Sequence, residues 1–269
     1  MNTVQQAGYL PESPALAIPS VRRRSRYFQG MSILLFVIVL TGFSRTFFLR
    51  SMFPVPSLTP HVYVHAVLMT AWFALLVIQT SLVARHRTDL HRRLGVFGAV
   101  LAVAVAGVTL VAALGLPAHF KVDPVPNGIP MSFDGMIQVT WGTFGSLALF
   151  CIFVTTAIWL RGRPEVHKRL LLLASLAMIT PAIGRYVAYL GMWRAVTSVP
   201  MVPQMLLILV GITAVVLPLT LVVHDLRSGR GVHPTTGWGV AAFFVVGLGC
   251  QFGISSTAAG RALIIALQH

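Results

Sequence analysis

Two ten-residue stretches hold the side chains best suited to chemistry. Arg85-His86-Arg87-Thr88-Asp89-Leu90-His91-Arg92-Arg93-Leu94 is answered 76 residues later by Arg161-Gly162-Arg163-Pro164-Glu165-Val166-His167-Lys168-Arg169-Leu170. Both read Arg-x-Arg-x-acid-x-His-base-Arg-Leu, and both lie between long apolar runs, so each is expected to be the tip of a helical hairpin. Thr88 and Pro164 suit a helix start, one as N-cap and the other as first-turn residue. Asp89 and Glu165 then oppose the positive end of the helix dipole. His91 and His167 fall in the first turn, where that dipole favours the neutral imidazole that a metal or haem iron binds. The bases that follow (Arg92, Arg93, Lys168, Arg169) are unfavourable at a helix start unless something anionic offsets them. Lipid headgroups would do so at about 1 kcal/mol per base. A haem propionate or a phosphate-bearing ligand between the tips would do so as well. Lipid anchoring needs no histidine.

A second set lies toward the other end of the apolar runs. Thr59-Pro60 is a capped helix start, and His61, His65 and Met69 follow at i, i+4 and i+8 on one face. Such a face offers metal ligands in His61 and His65, or an axial ligand to a haem. Otherwise it is an interfacial pair bonded to water and loop carbonyls. Arg45 and Arg185 lie inside apolar runs, where an ionisable group is costly unless paired or wet. With Tyr189 and Trp141 they are candidates to line an outer pocket, and Asp134 is the expected carboxylate partner of either arginine. Cys151 and Cys250 both sit in apolar runs and read as buried, inert thiols.

The elements that must position these residues are hydrophobic. Of 269 residues, 56% are hydrophobic and only 10% charged, which excludes an ordinary soluble domain. Apolar runs of about 20 residues are long enough to cross a bilayer. Seven are read, at 30–49, 61–84, 93–115, 137–160, 170–191, 204–223 and 237–259. Residues 1–29 form a basic, loosely held tail, 30–260 one membrane domain, and 261–269 a short outer tail. The net charge of +14 would suggest nucleic acid in a soluble chain, but its placement argues otherwise. Fourteen bases fall in the tail, the two tips and the loop with Arg227 and Arg230. Only Arg50, Lys121, Arg194 and Arg261 lie on the other side. The positive-inside rule then puts the N-terminus and both tips in the cytoplasm and the C-terminus outside. The 76-residue offset relates 61–115 to 137–191, two hairpins making a four-helix core. Thr180-Pro181 is expected to kink the fifth run. The six acids avoid the middle of every run, which argues against an ion-coupled transporter.

From His65 through the basic tip to His91, the chain resembles the cytochrome b-561-type dihaem membrane proteins, over about 61–191. That resemblance implies a four-helix core with b haems on histidine pairs: His91 would pair with His167, and His65 would be a second-helix ligand. The position expected of its partner holds Trp141, which departs from the pattern. His91-Arg92-Arg93-Leu94-Gly95 also looks like a signature of uncharacterised bacterial multi-pass proteins. The expectation is an all-α protein of the bacterial inner membrane, redox-active, with haem b and a quinone partner. The alternatives are a non-catalytic subunit of a larger membrane complex, or a small-molecule or lipid transporter. Small residues in the third and seventh runs (Gly95, Gly98, Ala102, Gly107; Gly237, Gly239, Gly247) suit the subunit reading.

Overall fold

The computed structural model describes the backbone of residues 19–53, 55, 57–122, 132–186, 202–229 and 231–268; these form helices and short connections, with no strand among them. The helices are α1 (Pro19–Gly42), α2 (Pro60–Ala84), α3 (Thr88–Val122), α4 (Phe133–Trp159) and α5 (Pro164–Ala177). They are followed by α6 (Thr180–Tyr186), α7 (Val202–Leu226), α8 (Pro234–Leu248) and α9 (Ala258–Ala266). A π-helical turn, Ser44–Phe48, follows α1, and another, Gly249–Ile254, extends α8.

Four of these helices are long and apolar enough to cross a membrane: α2, α3 over Thr88–Phe120, α4, and α8 with its π turn. The pair α5 and α6 makes a fifth if it is one span. Arg26–Gly42 and Ala214–Leu226 are shorter apolar segments. The described chain is therefore an all-helical, multi-pass type of fold with four to five helices able to span a bilayer, where seven were expected. Its apolar exterior agrees, since Phe97, Val103 and Trp159 are each more than 70% exposed. In water such a surface would be an aggregation liability.

Element boundaries depart from expectation at both ends. Helix α1 starts at Pro19, inside the segment expected to be a loose tail, and α9 runs into the expected outer tail. Cys151, expected to be buried, is exposed on the outside of the bundle, whereas Cys250 packs on α4. A Cβ on Gly145 would lie 2.9 Å from the Cβ of Cys250, so only glycine lets the π turn approach α4 this closely. The expected kink at Thr180-Pro181 coincides with a 43° bend between α5 and α6. Pro181 has no N–H for the Ala177 carbonyl, and its ring crowds that carbonyl.

Each tip joins antiparallel neighbours: α2 packs on α3, and α4 on α5. Helix α8 packs on α4 and α5, and α1 on α2. The core uses Phe73, Phe150, Phe153, Leu170, Leu173 and Leu176, all fully buried. Because lipid tails are as apolar as leucine, polar cross-links do much of the pairing in such a bundle. Ser32 of α1 meets the Thr80 hydroxyl of α2 at 2.8 Å. The Trp72 indole N–H donates to the Ser175 hydroxyl at 3.1 Å, tying the first hairpin to the second. Of the small residues read as a packing stripe, Gly98 faces Leu75 and Gly239 faces Leu173, but Gly95, Gly107, Gly237 and Gly247 face open space.

Candidate functional site

The repeat brings its two histidines together. The His91 and His167 rings lie 6.4 Å apart, centroid to centroid, at 89°. They are held by different means. Near the end of α4 the Ala157 carbonyl has no helical partner, because the Arg161 N–H turns to Ile158. His167 supplies it, with its Nδ1 at 2.8 Å from that oxygen. Nδ1 must carry the proton there, which leaves Nε2 with a free lone pair. His91 is held by Gln79 of α2. With the amide turned to satisfy both its ends, the Gln79 NH2 donates to His91 Nδ1 at 2.6 Å and its oxygen accepts from the Gly95 N–H at 3.1 Å. In this orientation His91 carries its proton on Nε2, so the pair presents one donor and one acceptor. Position 155, the repeat equivalent of Gln79, is Thr155, too short for the same task.

The four bases after the histidines are not equivalent. Arg92 and Arg93 are exposed, open to headgroups or a ligand anion. Lys168 donates to Glu165 at 2.7 Å and lies 4.7 Å from the centre of the Phe28 ring. Arg169, expected to face an external anion, is only 4% exposed. Its guanidinium donates to Asp225 Oδ1 at 2.6 Å and to Glu165 Oε2 at 2.6 Å, and its Nε donates to Thr236 at 3.2 Å. Asp225 also accepts from the Thr236 hydroxyl and from the His233 N–H at 3.1 Å. Ends of α5, α7 and α8 thus meet on one buried ion pair. The connection between α7 and α8 also supplies a helix cap. His233 caps α8, its Nδ1 accepting from the Thr235 N–H at 3.2 Å. Burial, and then the positive Arg169, hold that imidazole below its ordinary pKa. It therefore stays neutral, as the cap requires.

The tips also differ in their turns. His86 has φ 58°, the left-handed region that non-glycine residues pay to occupy. Its repeat equivalent is Gly162. His86→Gly is expected to raise stability by about 1 kcal/mol, read as a higher unfolding temperature in mild detergent.

At the opposite end of the bundle the expected cluster is spread out. His61 is exposed and bonded to the Thr59 hydroxyl at 3.3 Å, while His65 turns inward to Thr109 of α3 at 3.4 Å. Among the described residues no three His, Cys, Asp or Glu side chains converge to hold a metal ion. Arg45 lies over the Phe53 ring at 4.4 Å and Arg185 over Phe43 at 4.9 Å. Asp134, expected to serve one of these arginines, pairs instead with Arg261 at 2.6 Å. The reason is that α9 folds back beside the start of α4, where the Trp141 indole also donates to the Gly260 carbonyl at 3.1 Å. Tyr189 lies outside the described residues. His65, Met69 and Arg185 do share one feature, a cavity of about 510 Å³ that Ser146 and Gln251 also line. Neither Ser146 nor Gln251 was singled out, since a lone serine and a lone glutamine in apolar runs have no spacing to mark them.

Compared with family models, with curated proteins and with solved structures, the chain matches none.

Proposed function

We propose that the chain is a seven-span redox protein of the bacterial inner membrane, N-terminus in the cytoplasm, that holds one b haem between His91 and His167 and exchanges electrons with a membrane quinone. The observation that carries this reading is the convergence of the duplicated histidines. Two imidazoles sharing one metal, each bonded at about 2 Å, have ring centres roughly 6 Å apart. The pair stands at 6.4 Å. His167 already has a ligand's tautomer, with Nδ1 fixed by a carbonyl and Nε2 free, the usual outer-shell arrangement. His91 would gain it if the Gln79 amide turned over to accept from Nδ1–H, at the cost of setting its NH2 against the Gly95 N–H. Arg92 and Arg93 are the bases left for propionates or headgroups. A bound haem would supply one-electron chemistry. The chain's own residues orient the two imidazoles, through the Ala157 carbonyl and the Gln79 amide.

The test is the absorption spectrum of protein purified after haem-replete expression. The expected result is a Soret band with a sharp reduced α band, lost in His91→Ala and in His167→Ala and kept in His61→Ala. A wild-type protein without a Soret band overturns the proposal.

The open glycines on α3 and α8 favour a second reading, a non-catalytic subunit of a larger membrane complex packed along those faces. Co-purification of a defined partner with no bound chromophore would select it.

A further inference from the structure

We infer that the cavity at the end of the bundle away from the tips is a binding site for a neutral amphiphile, an apolar molecule bearing carbonyl or hydroxyl oxygens. The inference does not depend on haem at the tips. The cavity measures about 510 Å³, within the range of small-molecule sites, and is enclosed mainly by apolar side chains of α2 to α8. Of the polar side chains that line it, three matter most, Gln251, Ser146 and His65. Gln251 sits in the π turn that extends α8, and among the described residues its amide makes no hydrogen bond. The Ser146 hydroxyl of α4 likewise has no partner among them, although every other serine or threonine hydroxyl on α4 for which a bond is described returns to its own helix. His65 uses Nδ1 on Thr109, and its Nε2 has no partner among the described residues.

A polar group that opens onto an apolar-walled cavity favours an occupant able to pair with it. Three such groups around one cavity point to a complementary occupant. All three are uncharged, and an amide, a hydroxyl and an imidazole together both donate and accept. That suits carbonyl and hydroxyl oxygens, and a carboxylate only through Arg185. Arg185, the one cation on the described lining, is stacked over Phe43. The π turn has a local purpose in this picture. The inserted residue rotates Gln251 toward α4, where its side chain lies 3.5 Å from the Cβ position of Gly142. Such insertions recur at functional sites.

The experiment titrates the full chain in nanodiscs with a decyl-substituted benzoquinone, with farnesol and with oleate, read by native mass spectrometry and by unfolding temperature. The neutral probes are expected to bind at one per chain and more tightly than oleate. Gln251→Leu and Ser146→Ala should each weaken them about fivefold, the loss of one hydrogen bond. Gly142→Phe should abolish binding by filling the cavity, and His61→Ala should leave it unchanged. Tighter quinone than farnesol assigns a carbonyl ligand, and the reverse a hydroxyl ligand. Preference for oleate overturns the inference, as does binding that Ser146→Ala and Gly142→Phe both leave at the wild-type value. Ser146→Ala removes one oxygen from a half-buried site, so the test survives should the other variants misfold.

Discussion

Asp225→Ala is expected to destabilise the protein by about 3–5 kcal/mol, the largest effect of any single charge change here. The Arg169 guanidinium would keep Glu165, which is partly exposed, but would lose its buried partner at 2.6 Å. The Thr236 hydroxyl and the His233 N–H would lose their shared acceptor as well. A buried cation left with only a half-exposed partner is what makes the removal costly, more so than the lost attraction itself. The control is Arg93→Ala. Arg93 occupies the same repeat position as Arg169 but is exposed, so its loss should shift stability by no more than about 0.5 kcal/mol. Removing both charges with Arg169→Met and Asp225→Leu should recover much of the loss, because no buried charge remains unpaired. Unfolding in mild detergent with increasing sodium dodecyl sulfate measures all four proteins. Equal effects of Asp225→Ala and Arg93→Ala would refute the assignment.

The second large effect belongs to Gly42→Leu. A Cβ at Gly42 would stand 2.5 Å from the Ala182 carbonyl oxygen and 3.1 Å from its carbon, a clash with backbone rather than with a movable side chain. The last turn of α1 therefore rests directly on α6, just past the bend at Pro181. Overpacking a fitted contact costs about 1–3 kcal/mol, occasionally more. Here the neighbour cannot swing aside, so the upper end is expected, and α6 must move. The cavity records that movement because Pro181, Gly184 and Arg185 line it. Gly42→Leu should lower the unfolding temperature and weaken probe binding together. Gly30→Leu has open space around its Cβ and should do neither. A Gly42→Leu protein with wild-type stability would mean that α1 and α6 are not in contact.

Much of the architecture was legible in local patterns. Apolar runs of spanning length marked α2, α3 and α4, Thr59-Pro60 the start of α2, and Thr180-Pro181 the bend. Those features depend on a residue and its neighbours within about one helical turn, through solvation, capping and a missing N–H, so spacing alone reveals them. The duplicated tip was equally visible, and with it the chance that His91 and His167 would face each other.

The partners of the charged and polar groups were not legible. By sequence Arg93 and Arg169 are the same residue of the same motif. One faces out and the other is buried because Asp225, 56 positions further on, is carried to Arg169 by the packing of α7 and α8. Asp134 was matched to Arg45 or Arg185, but Arg261 reaches it because α9 folds back over the start of α4. Gln251 and Ser146 were ordinary polar residues in apolar runs until a π turn and a gap between helices aimed them into one cavity. Pairings of this kind are made between helices far apart in the chain. Their geometry depends on which helix faces touch, and a hydrophobic pattern says only that a helix is apolar, not which neighbour it meets.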